Sequence, residues 1–275
     1  LRIEPYADIF ITGSAVTQTQ HNWTDKVDIS EINLKPLDLK RMVKFAYEED
    51  GDDYSLNVYK KATSGYLYGT LNFDGSTAMP NQVSNLVGEE KVVATPFAPT
   101  LLRPASDLFD AELTIPQIYS GNEDGTEFED FENKPRILYN LGVKTLPSKT
   151  YFVPAQNGVS AVSAETDFLQ FGHLTEIPTT TTTPTIDYNF GACQLINPIG
   201  AAPVDNLYQT YYSPYYDELY HPDTRVMSLK VNLSPADIEN FKFYDTVVIK
   251  SREYRVNKIN YKPNTLAKVE FILIP

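Results

Sequence analysis

The chain has 275 residues, of which 36 are acidic and 23 basic, and its formal net charge is −13. Hydrophobic residues make up 42% and charged residues 21%, which is typical of a folded protein, and no run reaches the roughly 20 apolar residues of a membrane-spanning helix. The negative charge repels phosphate and therefore disfavours nucleic-acid binding. The single cysteine, Cys193, excludes an internal disulfide.

The first residues, Leu1-Arg2-Ile3, include no methionine. They show neither the charged segment nor the apolar stretch of a signal peptide, so none is predicted. We expect that the natural start is missing and that the chain is a fragment of a larger polypeptide.

The first hundred residues are predicted to be rich in strands. The chain carries 19 tyrosines, 14 phenylalanines and 19 prolines, a composition that favours short strands because aromatic side chains suit half-buried sheet faces. An amphipathic pattern predicts one helix over 36–43. Strands are predicted over 8–11, 54–59, 66–73 and 91–96.

Two acidic clusters, Glu48–Asp53 and Glu123–Asp130, centre on a glycine, as calcium loops do. An EF-hand would need a ligand where Ala46 stands in the first cluster and a bidentate Glu where Phe131 stands in the second, so the EF-hand spacing fails. Solvated acidic turns are the favoured interpretation. An irregular Ca²⁺ site and a glycoside-cleaving carboxylate pair that uses Glu127 and Asp130 stay open as alternatives.

The middle of the chain, from about 105 to 185, is richer in Pro, Gly and Thr. Five consecutive threonines, 179–183, lie between prolines and predict an extended surface crossing. This composition divides the chain into an N-terminal β-rich domain (1–104), a middle segment with short strands (105–185) and a C-terminal domain with a helix and an antiparallel sheet (186–275). Strands in the middle segment are predicted over 111–114, 136–141, 150–153 and 167–171.

A stripe of tyrosines predicts a helix between 208 and 220. The spacing matches one face of a 3.6-residue helix that ends at His221-Pro222. Pro214 either kinks one continuous helix or is the first residue of a fresh helix capped by Ser213, and the fresh start is favoured. Such a face can pack on a sheet, bind a sugar, or form a subunit interface. One helix cannot bury so many rings on a small sheet, so we predict an interface formed by Tyr208, Tyr211, Tyr212, Tyr215, Tyr216 and Tyr220.

The last 50 residues alternate apolar and polar side chains and predict a compact antiparallel unit. Strands are expected over 227–233, 246–250, 253–259 and 269–273, with a bulge between Val256 and Ile259 and a short helix that starts at Pro235. The predicted fold class is mainly β, with antiparallel barrel or sandwich domains and one or two short helices.

No catalytic motif emerges from the residues. His21, His173 and His221 are far apart and are predicted to be surface histidines, so no metal site is expected. Cys193 fits a buried hydrophobe better than a nucleophile. We therefore predict no catalytic residue, no metal and no cofactor.

Several short motifs, taken in chain order, resemble a group of virion structural proteins of tailed bacteriophages and prophages, especially those of gut and marine Bacteroidetes. The resemblance extends over nearly the whole chain and includes its ending, 243–271. The motifs are Asp50-Gly51-Asp52-Asp53-Tyr54, Phe171-Gly172-His173-Leu174, Asp187-Tyr188-Asn189-Phe190-Gly191, Tyr211-Tyr212-Ser213-Pro214-Tyr215 and Asp223-Thr224-Arg225.

This resemblance implies a noncatalytic tail, tail-hub or baseplate component, located in the virion and built from β-barrel domains that continue the tail tube. Its partners would be copies of itself and other tail proteins, and DNA would pass an acidic lumen without specific binding. The alternative is a carbohydrate-binding or receptor-binding β-sandwich adhesin. Sugar platforms commonly use tryptophan, and Trp23 is the only one in the chain.

Overall fold

The computed structural model describes residues 3–104, 114–121, 126–127, 130, 132–146, 150–153, 163–175, 185–191 and 205–275. The mainly β class is confirmed. The α-helices are short: α1 (Tyr54–Ala62), α2 (Gly75–Ala78), α3 (Ser213–Leu219) and α4 (Pro235–Asn240). The strands are β1 (Gln20–Asn22), β2 (Val27–Lys35), β3 (Met42–Tyr47), β4 (Leu71–Asp74), β5 (Glu89–Ala94), β6 (Leu101–Pro104), β7 (Thr114–Gln117), β8 (Tyr139–Thr145), β9 (Tyr151–Val153), β10 (Ser163–Glu165), β11 (Asp167–Gly172), β12 (Ile186–Asp187), β13 (Asp205–Asn206), β14 (Val226–Val231), β15 (Thr246–Ile249), β16 (Arg252–Asn260) and β17 (Ala267–Leu273).

The chain forms two compact units, each assembled from distant stretches of sequence. Unit 1 contains 1–44, 72–90 and 208–275, and unit 2 contains 45–71 and 91–207. The chain passes from one unit to the other at 44–45, 71–72, 90–91 and 207–208. The three consecutive domains predicted from composition, 1–104, 105–185 and 186–275, stay a prediction.

Unit 1 is built on a six-stranded sheet in the order β1-β15-β16-β17-β14-β2. Alternate side chains on β14 to β17 face one core, which includes Trp23, Val247, Val269 and Phe271, each at most 2% exposed. The predicted slip between Val256 and Ile259 is confirmed, since the register of β16 against β17 shifts between Val256 and Lys258. The four strands predicted in the last 50 residues and the helix at Pro235 are also confirmed.

The sheet of unit 1 is strongly curved. Its edge strands β1 and β2 are joined by only four residues, Trp23 and the 3-10 turn Thr24–Lys26. A flat sheet of six strands would separate its edges by about 24 Å, whereas this connection spans at most about 19 Å. No pairing joins β1 to β2 in the described residues, so the curved sheet is not closed into a barrel.

Three N-terminal predictions are wrong because local hydrogen bonding outweighs the apolar pattern. The predicted strand 8–11 belongs to a π-helix, Ala7–Ile11. The predicted strand 54–59 lies in α1, where the Asp53 carboxylate accepts hydrogen bonds from the amides of Ser55 and Leu56 and so caps the helix. The predicted helix 36–43 is irregular before β3 begins.

Unit 2 combines α1 with several small sheets. Antiparallel pairs are formed by β6 with β7, β8 with β11, and β9 with β10, while β12 and β13 run parallel. Leu56 and Tyr59 of α1 pack with Tyr68 and Leu101 in one buried cluster. The predicted strands at 150–153 and 167–171 are confirmed, and the threonine run 179–183 lies outside the described residues.

Candidate functional site

The tyrosine-rich segment is helical from Tyr208 to Leu219, but it changes type in the middle. A π-helix, Tyr208–Tyr212, runs directly into α3. The wider turn suits Pro214, which has no amide hydrogen to donate to the preceding turn. The prediction that Ser213 caps a fresh helix is wrong, because its hydroxyl donates to Asp217 within α3. The predicted end before His221-Pro222 is confirmed.

Two of the six tyrosines belong to the core of unit 1. Tyr216 and Tyr220 are 7% and 3% exposed, and both rings pack edge-on against Phe73 at 5.2 and 4.8 Å. The Tyr220 hydroxyl donates to the carbonyl of Lys40 at 2.8 Å. Burial raises the pKa of both hydroxyls. These two rings hold the helix in place.

The other tyrosines of the stripe lie closer to the surface. Tyr211 is 42% exposed, and Tyr208, Tyr212 and Tyr215 are half-buried. The ring of Tyr6 covers Tyr215, and the two ring centroids are 4.4 Å apart. Burial raises the pKa of Tyr6 to about 12. Tyr211 therefore leaves the most surface for a neighbouring molecule.

A buried ion pair anchors α3 to the sheet. The guanidinium of Arg255 on β16 donates from Nε and Nη2 to the two carboxylate oxygens of Glu218, at 2.6 and 2.9 Å. The two side chains are 10% and 12% exposed. Nη1 of Arg255 is buried and has no hydrogen-bond partner among the described residues.

A pocket of about 220 Å³ lies beside this ion pair, in unit 1. Its walls are mainly aromatic and aliphatic, and Arg255, Glu218 and Asn257 add polar groups. Phe243 at its edge is 55% exposed. The apolar lining residues are Tyr6, Phe10, Tyr215, Leu219, Phe243, Val256 and Ile272.

The first acidic cluster is a structural centre of unit 2. Asp50 and Asp53 are 1% and 0% exposed, and each accepts a hydrogen bond from Nη2 of Arg136, at 2.6 and 2.9 Å. Burial raises the pKa of Asp53 and outweighs the opposite effect of Arg136. The expectation of a solvated acidic turn is therefore wrong for these two carboxylates, because both are buried and accept hydrogen bonds from the same arginine.

A chain of three polar side chains is buried near α1. The Tyr68 hydroxyl lies 2.7 Å from Nε2 of His173, and Nδ1 of His173 lies 2.7 Å from the Asp187 carboxylate. All three residues are at most 5% exposed. The prediction of a surface histidine is wrong for His173, because Tyr68 and Asp187 satisfy both ring nitrogens. Because His173 is hydrogen-bonded on both sides and all three residues are buried, this arrangement suits a structural role.

The backbone around the 187–191 motif is tightly packed in unit 2. A Cβ on Gly69, whose φ is +70°, would lie 2.2 Å from the Asn189 side chain, and a Cβ on Gly191 would lie 2.3 Å from the Thr70 carbonyl. Tyr188 stacks on Tyr139 at 3.7 Å. Tyr188, Asn189 and Gly191 of the 187–191 motif thus have packing roles.

The remaining sequence candidates do not converge. His21 contacts Asp245 at 3.0 Å, while His221 is partly buried. Glu127 and Asp130 are both exposed. Cys193 and much of the second acidic cluster lie outside the described residues. Over the described ranges, no group of three or more His, Cys, Asp or Glu side chains is placed to hold a metal ion. Nor is any helix in these ranges both long and apolar enough to cross a membrane.

No protein-family model, curated protein or solved structure matches the chain.

Sequence reasoning missed both arginines that organise the polar centres. Arg136 follows Pro135 in an irregular stretch, and nothing in the local sequence pairs it with carboxylates more than 80 positions away. The sequence does contain a signal for Arg255, because this charged residue lies between the apolar residues Tyr254 and Val256 in a predicted strand, and both of these neighbours are buried. A charged residue at such a position requires a buried partner.

Proposed function

We propose that this chain is a noncatalytic structural subunit of a bacteriophage tail, in the hub, tube or baseplate, which assembles with copies of itself and with other virion tail proteins. The observation that carries the proposal is the exposed apolar surface of unit 1. Ile29, Ile32 and Leu34 of the edge strand β2 are 59%, 53% and 63% exposed, and Phe243 and Tyr211 add to them. Exposed apolar residues on a sheet edge are typical of association surfaces.

The polar residues of the motifs support the same proposal. Asp50, Asp53, His173 and Asp187 are each engaged by internal partners, so their chemistry is used to hold unit 2 together. The assignment to a phage tail, and hence to the virion, depends on the motif resemblance. A net charge of −13 is compatible with an acidic lumen that DNA passes without binding.

Sedimentation velocity over a concentration series, combined with negative-stain imaging, tests this proposal. We expect the chain to form a defined oligomer, ring or tube, and Tyr211→Ser to weaken it without lowering the unfolding midpoint. Tyr211→Phe, which keeps the ring at the same position, is the matched control. A monomer at every concentration would contradict the proposal.

The adhesin alternative is favoured by one observation, the aromatic pocket between Tyr6, Tyr215 and Phe243. Trp23 cannot serve as a sugar platform because it is 2% exposed within the core of unit 1. A glycan array tests this alternative directly. Binding that is lost in Phe243→Ala would favour the adhesin, and an empty array would remove it.

A further inference from the structure

Three stretches of unit 2 meet at one buried polar centre, where α1 begins. Asp50 and Asp53 lie in the turn that precedes the helix, and Arg136 comes from the stretch 133–136. The backbone of 52–54 pairs with that of 119–121. The side-chain contacts of this centre therefore connect residues that are 66 to 86 positions apart, and they fix the start of α1 to two distant parts of unit 2.

The charges of the centre do not balance. Asp50 and Asp53 are almost completely buried, and the side chain of Arg136 is 5% exposed. Both carboxylates accept a hydrogen bond from the same atom of this side chain, Nη2. Two ionised carboxylates and one guanidinium leave a net negative charge away from water, which costs free energy because a buried charge loses its hydration. A single bound proton would remove this excess charge.

The other charged groups nearby are paired or exposed. The ammonium group of Lys134 pairs with Glu48 at 2.9 Å, and that of Lys60 pairs with Glu49. The remaining acidic residues of the adjoining stretches are exposed, namely Asp52, Glu127, Asp130 and Glu132. The titratable rings of Tyr54 and Tyr119 pack on each other, with their centroids 5.6 Å apart. In the described part of the chain, Arg136 is thus the only cationic side chain that is hydrogen-bonded to Asp50 or Asp53.

The two oxygens of the Asp53 carboxylate have separate tasks. Oδ1 accepts hydrogen bonds from the amides of Ser55, Leu56 and Tyr119, at 2.9, 3.4 and 3.4 Å. Oδ2 accepts from Arg136 at 2.9 Å. A proton on Oδ2 would leave the cap of α1 intact, and Arg136 would keep its bond of 2.6 Å to Asp50. The centre can therefore become neutral without losing its contacts to the backbone.

We infer that this centre is a proton-operated clamp, in which Asp53 binds one proton on Oδ2 as the pH falls and the three stretches are held most tightly in that state. The inference does not depend on the proposed function. Burial raises the pKa of Asp53 above its ordinary value of 3.8, in the same direction. A carboxyl group of this kind stabilises the fold fully below pH 3.8, and this contribution is lost as the pH rises through the raised pKa.

The test compares two aspartates that cap helices. Asp53→Asn keeps an oxygen for the amides of α1 and carries no charge. Asp74→Asn is the matched control, because Asp74 caps α2 by accepting from the Ser76 amide at 2.9 Å, while the Ser76 hydroxyl lowers the pKa of Asp74. Hydrogen exchange in the first turns of α1 and α2 is followed in the full chain from about pH 3 to pH 8. The ratio of the variant rate to the wild-type rate at each pH cancels the intrinsic pH dependence of exchange.

We expect the ratio for Asp53→Asn in α1 to fall as the pH rises above 3.8, by up to about tenfold per pH unit, which is the effect of one proton. The ratio for Asp74→Asn in α2 should rise through the acid range and then stay level, since an ionised Asp74 stabilises its helix. In the wild type, exchange at the start of α1, corrected for the intrinsic rate, should increase with pH above 3.8.

A ratio for Asp53→Asn that stays constant or rises with pH would overturn the inference, because Asp53 would then behave as an ordinary helix cap. A ratio that falls equally for Asp74→Asn would also overturn it, since the effect would not belong to the buried centre. If Asp53→Asn does not fold, the wild type decides alone. Corrected exchange at the start of α1 that does not increase with pH would then refute the clamp.

Discussion

Glu218 and Arg255 form a two-pronged ion pair, at 2.6 and 2.9 Å, that fastens α3 to the middle of the unit 1 sheet. Because both groups are about nine-tenths buried, removing one leaves the other charged and without a partner. We expect Glu218→Ala to lower the free energy of unfolding by about 3–5 kcal/mol, measured by urea titration.

The matched control replaces both charges at once. Glu218→Leu/Arg255→Met removes the ion pair and leaves no buried charge, so most of the lost stability should return. A double variant that is no more stable than Glu218→Ala would show that the geometry of the ion pair itself stabilises the fold.

The Tyr68–His173 hydrogen bond predicts a second stability effect, in unit 2. Tyr68→Phe leaves a buried ring nitrogen of His173 without its partner and should cost about 1–3 kcal/mol. Tyr211→Phe, which removes a hydroxyl from an exposed ring, should change stability by less than about 0.5 kcal/mol. Equal unfolding free energies for the two variants would argue against a buried network.

Asp237 predicts a pH dependence in the acid range. The hydrogen bond from Lys26, at 2.5 Å, lowers the pKa of Asp237 from 3.8 to about 2. The ionised carboxylate thus stabilises the folded state above pH 3.8, and this contribution is lost as the pH falls to about 2. Urea midpoints of wild type and Asp237→Asn should differ most above pH 4 and converge towards pH 2. A difference that stays constant across this range would contradict the assignment.

Gly75 predicts a steric effect beside the buried tyrosines. A Cβ at this position would lie 2.5 Å from the Tyr220 ring and 2.9 Å from the Lys40 carbonyl. Gly75→Ala should therefore displace Tyr220 and cost about 1–3 kcal/mol, as overpacking does. Gly51→Ala is the control, because no atom lies within 4 Å of the added methyl group. Thermal unfolding of the two variants compares them directly, and an unchanged Gly75→Ala protein would contradict the packing.

The parts of the fold that local patterns encode were predictable. Alternation located β14 to β17, and Ser234 with Pro235 located the start of α4, whose capping box also includes Asp237. The roles of β1 and β2 were not predictable, because their partners lie about 200 positions away. The burial of Asp50 and Asp53 was hidden for the same reason, since Arg136 is brought to them only by the tertiary fold.

The pairing of β1 with β15 has a consequence for the order in which the chain folds. The Thr19 amide donates to Asp245, 226 positions later, and the curved sheet cannot form until both stretches exist. At 5–20 residues per second, a ribosome needs roughly 10–45 s to make the intervening chain. The segments of unit 2 end at Leu207, so unit 2 can fold before synthesis is complete. The isoleucines of β2 stay without their sheet until β14 and the strands after it have been made.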